Sequence, residues 1–536
     1  MNVNLLTMLR YKKTFGLNNL NVLAAHESTD YDFEVSSASG QNLVSNYDLS
    51  LANAIVKNPT QNSYNNTNTL ESYFSQLNYD YNGIYYLSGT VRRDGSSRFV
   101  PEKQWGTFGS VGVGAVLTRT RLLENSKFLT YLKLKASYGI LGDQSGLGLY
   151  PGVSSISIGV LNNLPSFGIP TPGNPELTWE TSKMFQTGAD FKIGTFLEGT
   201  IEYYRKNTSN LIFDRRVGIS NGYALITVND GVLRNEGIEL ELTGHILKAD
   251  NYFLDLSVNA EKFDNTIINM PLDPSTGNKP KIIDIQGQFG WAQNRSIFDY
   301  YIRNFAGVDP TDGTSTWTVY YQDLDGNGSY KKGEEVLSLE QFKADNPTKF
   351  SSLKVGKTKT YSEATQYYIG KSAIPKLRGA FNLSGGYKGF ELAVQLLYSV
   401  GGYAYDGAYA GLMGNGLIGG NNWHYDIFNR WQNAGDKTTV PRLSNEKDAN
   451  VTSSSSRFLV KADYLALNNI RLGYNLPSSI TKRFGIQGGS FYVSGDNLWL
   501  GSARNGFNPT TSETGGSSTY TYSPLSTITA GLKIKF

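Results

Sequence analysis

Cysteine is absent from all 536 residues, which removes disulfides, thiolate nucleophiles and Cys-bound zinc. Histidine is almost absent. Only His26, His245 and His424 occur, far apart, too few for a His-based triad or zinc site. No run of about 18 apolar residues exists, so no transmembrane helix is encoded. An excess of one charge is lacking too. The 49 basic residues face 46 acidic ones, a net charge of +3, which argues against a basic nucleic-acid-binding surface. The hydrophobic fraction, 39%, is low for a chain long enough for a large barrel or several domains. The first fifteen residues lack a secretory signal: Arg10, Lys12 and Lys13 follow the apolar residues instead of preceding them, and no apolar h-region or small-residue cleavage site appears. Val3 to Phe15 and Leu20 to Glu27 already read as a strand pair, so the expectation is a sequence that starts inside a longer protein.

What the chain does contain is glycine (58), tyrosine (35) and alternation. In its last stretch Ile528, Ala530, Leu532, Ile534 and Phe536 fall on every second position, against Thr529, Gly531, Lys533 and Lys535. A strand points these two sets to opposite faces. The pattern recurs. Leu132, Leu134, Ala136 and Tyr138 alternate with Lys133, Lys135 and Ser137, and Leu254, Leu256 and Val258 with Asp255, Ser257 and Asn259. The apolar set is expected to face lipid and the polar set a lumen. Glu239 and Glu241 then share the lumen face of one strand, which a polar interior explains without catalysis.

Strands pair through short turns at Asn82-Gly83, Ile193-Gly194 and Lys388-Gly389. Between pairs lie long excursions: Ser28 to Leu70, Gly142 to Thr178, Asn207 to Asn235, Gly307 to Pro375 and Gly401 to Asp463. Loops of this length are uncommon in compact soluble domains. Short turns at one end and long loops at the other are the plan of an all-β antiparallel transmembrane β-barrel. An extracellular glycan-binding or adhesive β-protein without a pore is the alternative. The direction of each strand requires an odd count, about 17, the uncertain pair being Ile283 to Trp291 and Ile297 to Phe305. A phase shift at Asn468-Asn469 predicts a β-bulge.

Several stretches, in order, resemble one family. Arg92-Arg93-Asp94-Gly95-Ser96-Ser97-Arg98-Phe99, followed by Trp105-Gly106 and Phe108-Gly109-Ser110, is similar to the "R-x-D-G-S-S-R-F … W-G-x-F-P-S" stretch of SusC/RagA-type TonB-dependent outer-membrane transporters, with Gly109 where proline is usual. Leu132 to Gly139 with Gly142-Asp143, Leu177-Thr178-Trp179-Glu180, and Asn235-Glu236-Gly237-Ile238-Glu239-Leu240 continue the likeness. So do Asn429-Arg430-Trp431 with Pro441-Arg442, Leu472 to Pro477, and Gly495-Asp496-Asn497-Leu498. The resemblance implies a barrel of about 22 strands, of which residues 1–536 would carry about 17. Signal peptide, TonB box and plug are expected to lie outside this sequence. It implies import of a nutrient, a glycan oligosaccharide or a peptide, not enzymatic activity. The implied partners are a SusD-like lipoprotein lid, the TonB system and outer-membrane lipid.

Two sets of residues stand out as sites. Asp323, Asp325, Asn327, Ser329 and Glu334 fit the D-x-[DN]-x-[DN]-G-x5-E calcium loop, with Gly328 at the turn. The flanks, Thr314 to Tyr321 and Leu337 to Phe342, are not two clear helices, so the expectation is a lone structural Ca²⁺ site, the competing reading being a turn rich in Asp, Gly and Asn. In the loops, Trp423, Tyr425, Phe428 and Trp431 cluster with His424, Asp426 and Arg430 as substrate-stacking candidates, unless they serve loop packing. Arg92, Arg93, Asp94 and Arg98 read as a structural network at a strand end rather than an anion site.

Overall fold

Fifteen strands form one antiparallel sheet in which every strand pairs with its neighbours in sequence. They are β1 (Asn2–Phe15), β2 (Asn18–Ala38), β3 (Gln61–Tyr81), β4 (Tyr85–Ser96), β5 (Trp105–Val116), β6 (Leu129–Asp143), β7 (Glu180–Ile193) and β8 (Leu197–Ser209). Then come β9 (Val232–Ala249), β10 (Tyr252–Asn269), β11 (Leu377–Tyr387), β12 (Phe390–Val400), β13 (Tyr464–Asn475), β14 (Gly488–Gly501) and β15 (Thr527–Lys535). The structure is a computed structural model. It describes residues 1–536 except 40, 46, 48–52, 54, 56–60, 157, 163, 169–171, 218–222, 224, 415–421 and 519–521, so parts of the long excursions lie outside the described residues.

Short turns close one end of the sheet. Asn82 and Gly83 both have positive φ, as do Lys388 and Gly389, the geometry a tight hairpin requires. At Gly389 a side chain would also meet the carbonyl oxygen of Asn475 at 2.9 Å. The other end carries the long excursions. The alternation is as expected and the count is odd, but among the described residues it is fifteen. The pair at 283–305 is indeed extended, yet it joins a separate sheet of Asp284–Gln286, Phe289–Trp291, Asp299–Arg303 and Gln366–Ser372. Strand character is local, whereas the choice of sheet depends on partners distant in sequence. The excursion from Ser28 is also shorter than expected. The ladder between β2 and β3 continues without slip from Asn18↔Tyr81 to Ala38↔Gln61, held by backbone pairing although the β3 segment Gln61 to Thr69 offers only Tyr64 as a large apolar side chain. The expected bulge is present: the register of β13 slips between Leu467 and Asn469 against both neighbours, and Asn468 Nδ2 donates to Gln395 Oε1 (2.7 Å).

The sheet is rolled. One cavity of about 530 Å³ is lined by Lys12 of β1, Asn21 of β2, Ser88 of β4, Lys135 of β6 and Glu202 of β8. In a flat sheet β1 and β8 would stand roughly 30 Å apart. The polar set therefore lies on the concave face. The convex face carries apolar rows: Leu242, Val258, Phe381 and Leu396 lie directly opposite one another across β9 to β12. On this face Val91, Val111, Val113, Leu134 and Tyr138 remain exposed. β1 is exposed along its whole length, and no pairing joins β1 to β15 among the described residues.

Most of the buried hydrophobic residues are elsewhere. Tyr300, Tyr301, Ile302, Trp317, Val319, Met413, Phe458 and Phe507 are almost completely buried, and all belong to the excursions after β10, β12 and β14. These excursions fold into a canopy with its own sheets. Ser315–Tyr321 pairs with Phe305–Val308, Glu335–Val336 and Lys354–Thr358, and Tyr403–Tyr405 pairs with Leu459–Lys461.

Candidate functional site

The concave wall carries a row of carboxylates. Register places Glu202 opposite Glu239, Glu239 opposite Glu261, and Glu261 opposite Arg378. Like charges in adjacent cross-strand positions repel. A cation closes each end of the row. Lys135 Nζ pairs with Glu202 and with Asp190 (2.9 Å), and Arg378 Nε donates to Glu261 (2.6 Å). The Tyr204 hydroxyl also donates to Glu261 (3.1 Å). It passes over Gly237, where a Cβ would meet that hydroxyl at 2.7 Å. Glu239, in the middle, lines a cavity of about 510 Å³ with Thr200, Glu241, Asn259 and Tyr464. Nothing local in the sequence marks this row, because it is assembled from four strands.

The arginine motif is structural. Arg92 Nε donates to Asp94 (2.6 Å), its Nη2 donates to Ser72 Oγ (2.8 Å), and its guanidinium lies over the Phe74 ring. Arg98 donates to the carbonyls of Leu147 (2.8 Å) and Gln144 (3.2 Å), tying β4 to the excursion after β6.

The aromatic candidates separate into two groups. Trp423 packs on the cluster of Ala410, Met413, Ile427, Val440 and Phe458. Trp431 donates through Nε1 to the Pro310 carbonyl (3.1 Å), and its ring lies on Gly313, where a Cβ would meet it at 2.4 Å. Asp426 accepts from the Tyr409 hydroxyl (2.8 Å), and Arg430 turns back onto the Ile427 carbonyl (3.4 Å). These four residues hold the canopy together. Tyr425 and Phe428 project outward, 72% and 74% exposed, and Tyr425 leans on His424 with ring centroids 4.6 Å apart. The outer face of the short 3₁₀ helix Tyr425–Asn429 is thus an aromatic surface over a rigid base.

The acidic loop also gathers as expected. Asp323, Asp325 and Glu334 offer carboxylate oxygens within 4.8 Å of one another, and Asn327 and Ser329 continue the loop. Its flanks are the strand Ser315–Tyr321 and, beyond the short strand Glu335–Val336, the helix Leu339–Asp345. Lys354 beside Asp323 and Lys331 beside Asp325 hold both carboxyls below the usual aspartate range.

One buried knot has no sequence signal. Asp406 has a fully buried side chain paired with Arg504. It also accepts from Ser517 Oγ (2.6 Å) and from the Tyr409 backbone (3.1 Å). The partners stand 98 and 111 residues away. Nearby, burial pushes the Tyr409 phenol up to about 12 and the Arg457 guanidinium down to about 10, still charged at neutral pH.

A rolled sheet that is apolar outside and polar inside, with turns at one end and folded loops at the other, is the wall of an outer-membrane β-barrel. The TonB dependent receptor-like, beta-barrel family model matches residues 5–498, and the chain belongs to that family. Its location is accordingly the outer membrane. It is 27% identical to the TonB-dependent receptor P3 of Formosa agariphila, over 98% of this chain and 52% of that protein. It is 25% identical to the TonB-dependent receptor SusC of Bacteroides thetaiotaomicron, over 84% of this chain and 42% of that protein. The chain thus spans about half the length of the curated relatives it matches. The structure of the RagAB peptide transporter shares the fold, with a TM-score of 0.80 at 23% identity over 100% of this chain and 55% of that one.

Proposed function

We propose that this chain supplies wall and extracellular loops of an importer that takes a nutrient oligomer, a glycan oligosaccharide or a peptide, through the outer membrane. The observation that carries the reading is the pairing of a polar lumen wall with a folded canopy that presents Tyr425 and Phe428 to solvent. Exposed rings on a rigid base stack on sugar faces or on peptide side chains. A SusD-like lipoprotein would cover the canopy, and import would need a plug and a TonB-contacting segment in addition to the strands described. The role is transport rather than catalysis.

The test is energised uptake. Cells carrying the gene in its native setting are offered fluorescent malto-oligosaccharides, fructo-oligosaccharides and tryptic peptides. The expected result is accumulation of one class that depends on the gene, on TonB and on the proton-motive force. Accumulation unchanged by deletion of the gene or by a protonophore, for all three probes, overturns the reading. Co-purification with a lipid-anchored partner is expected in the same cells.

A further inference from the structure

The acidic loop Asp323 to Glu334 has a feature that a mere turn leaves unexplained. Asp323 has a side chain only 8% exposed, and its Oδ1 is buried without a hydrogen-bond partner. Its other oxygen, Oδ2, accepts from the Gly328 backbone (3.1 Å) and from Lys354 Nζ. A buried carboxylate oxygen left unpaired carries its full desolvation cost. It persists where something else completes it.

The surroundings say what that is. Asp325 and Glu334 place carboxylate oxygens within 4.8 Å of Asp323. Glu334 is buried, and two backbone groups, Leu324 N (3.1 Å) and Lys331 N (2.9 Å), hold its two oxygens in place. Asp325 Oδ1 accepts from Asn327 N (3.2 Å), and Asn327 Oδ1 from Ser329 N (2.7 Å). Gly326 and Gly328 take the positive φ that this tight winding requires. The donors are all oxygen, with no nitrogen or sulfur, and three are carboxylates. This set suits a hard divalent cation with a large, flexible coordination shell.

We propose that the loop Asp323 to Glu334 binds Ca²⁺, with Asp323, Asp325 and Glu334 as carboxylate ligands and Asn327 and Ser329 completing the shell. The proposal is independent of what the barrel transports. Two lysines occupy the outer oxygens of the site: Lys331 sits on Asp325, and Lys354 on Asp323. Lys331 stands at the ninth position of the loop, where a calcium loop ordinarily holds a water-bridged ligand. The ion competes with its ammonium for Asp325. Binding also fixes the canopy, because the Tyr321 hydroxyl donates to the Gly328 carbonyl (3.0 Å), and Tyr330 bridges Glu335 (3.1 Å) and Glu363 (3.0 Å).

The competition makes the test two-sided. The full chain, purified in detergent and stripped with a chelator, is titrated with Ca²⁺ by calorimetry and with Tb³⁺ by luminescence excited through Tyr321 and Tyr330. One saturable site is expected, with a dissociation constant on the order of 10⁻⁴ to 10⁻³ M, the range of extracellular calcium modules. Asp325→Ala should weaken it by about a hundredfold. Lys331→Met, which keeps every ligand and removes the competitor, should tighten it several-fold. A wild-type chain that shows neither heat nor sensitised luminescence overturns the proposal. So does Ca²⁺ affinity that is equal or weaker in Lys331→Met, which remains readable if Asp325→Ala fails to fold. Equal affinity for Mg²⁺ would contradict the choice of ion.

Discussion

The wall and the canopy are built from one chain on opposite rules. In the wall, Leu242, Val258, Phe381 and Leu396 face outward, and the charged row Glu202, Glu239, Glu261 and Arg378 faces inward. In the canopy, Tyr300, Trp317, Val319 and Phe458 are buried, and Lys331, Lys359 and Tyr425 are exposed. The difference follows from the solvent each part meets. Lipid accepts apolar side chains but no unpaired backbone, so the wall is all ladder. Water demands a buried apolar core, so loops that leave the ladder must build one. The lesson is that long loops of a barrel are not tails on a scaffold. They form a second folded unit whose stability can fail separately from the wall.

The largest effect should come from the canopy's buried knot. Asp406→Ala leaves Arg504 facing a buried gap, and removing one partner of a buried ion pair costs about 3–5 kcal/mol. Limited proteolysis should then cut within the excursions 401–463 and 502–526 while the wall still shows heat-modifiable migration on gels. If wall and canopy are lost together, the two are not separable units.

Next is the wall's outer face. Leu256→Arg should cost about 2–4 kcal/mol for refolding into lipid vesicles if it lies near the midplane. Asn259→Arg, on the inner face beside Glu239 and Glu241, should cost little or nothing. Equal costs would erase the distinction between the faces.

Smaller effects sharpen the comparison. Asp448 receives both Arg442 Nε (2.9 Å) and Nη2 (2.8 Å), and Arg442 holds its carboxyl below the usual range. A depressed native value means the stabilisation is complete above the unfolded value of about 4 and is lost as pH falls through the lower native one. Canopy unfolding in urea should therefore ease at acid pH, and Asp448→Asn should remove part of that dependence, with a loss under about 1 kcal/mol at pH 7. Smallest for stability is Tyr425→Ala, within about 0.5 kcal/mol because the ring is exposed. Its effect should appear as lowered uptake of the transported oligomer.

Legibility follows the same division. In the wall, neighbours in space are neighbours in sequence, so the period-two pattern of Leu132 to Tyr138, the turn at Asn82-Gly83 and the bulge at Asn468 could be read directly. The far ends of β2 and β3 could not, since Gln61 to Thr69 pairs through its backbone with few apolar side chains to mark it. In the canopy, contacts span great distances in sequence. Tyr300 donates to the carbonyl of Tyr403, and Trp431 reaches Pro310 across 121 residues. That is why Asp299–Arg303 was legible as a strand but not as part of a separate sheet, and why the sequence left Trp423 and Trp431 open between substrate stacking and loop packing. The clustering of Asp323, Asp325 and Glu334 was legible because the three carboxylates lie within one short stretch. The inner carboxylate row was not, because each strand contributes one or two members.

The absence of cysteine makes the central claim directly measurable. Leu256→Cys and Asn259→Cys, each carrying a nitroxide label in lipid vesicles, should report opposite surroundings by electron paramagnetic resonance. The label at position 256 should collide preferentially with oxygen dissolved in lipid, and the label at position 259 with a water-soluble nickel chelate. The same preference at both positions, or the reverse of this one, would contradict a wall that is apolar outside and polar within.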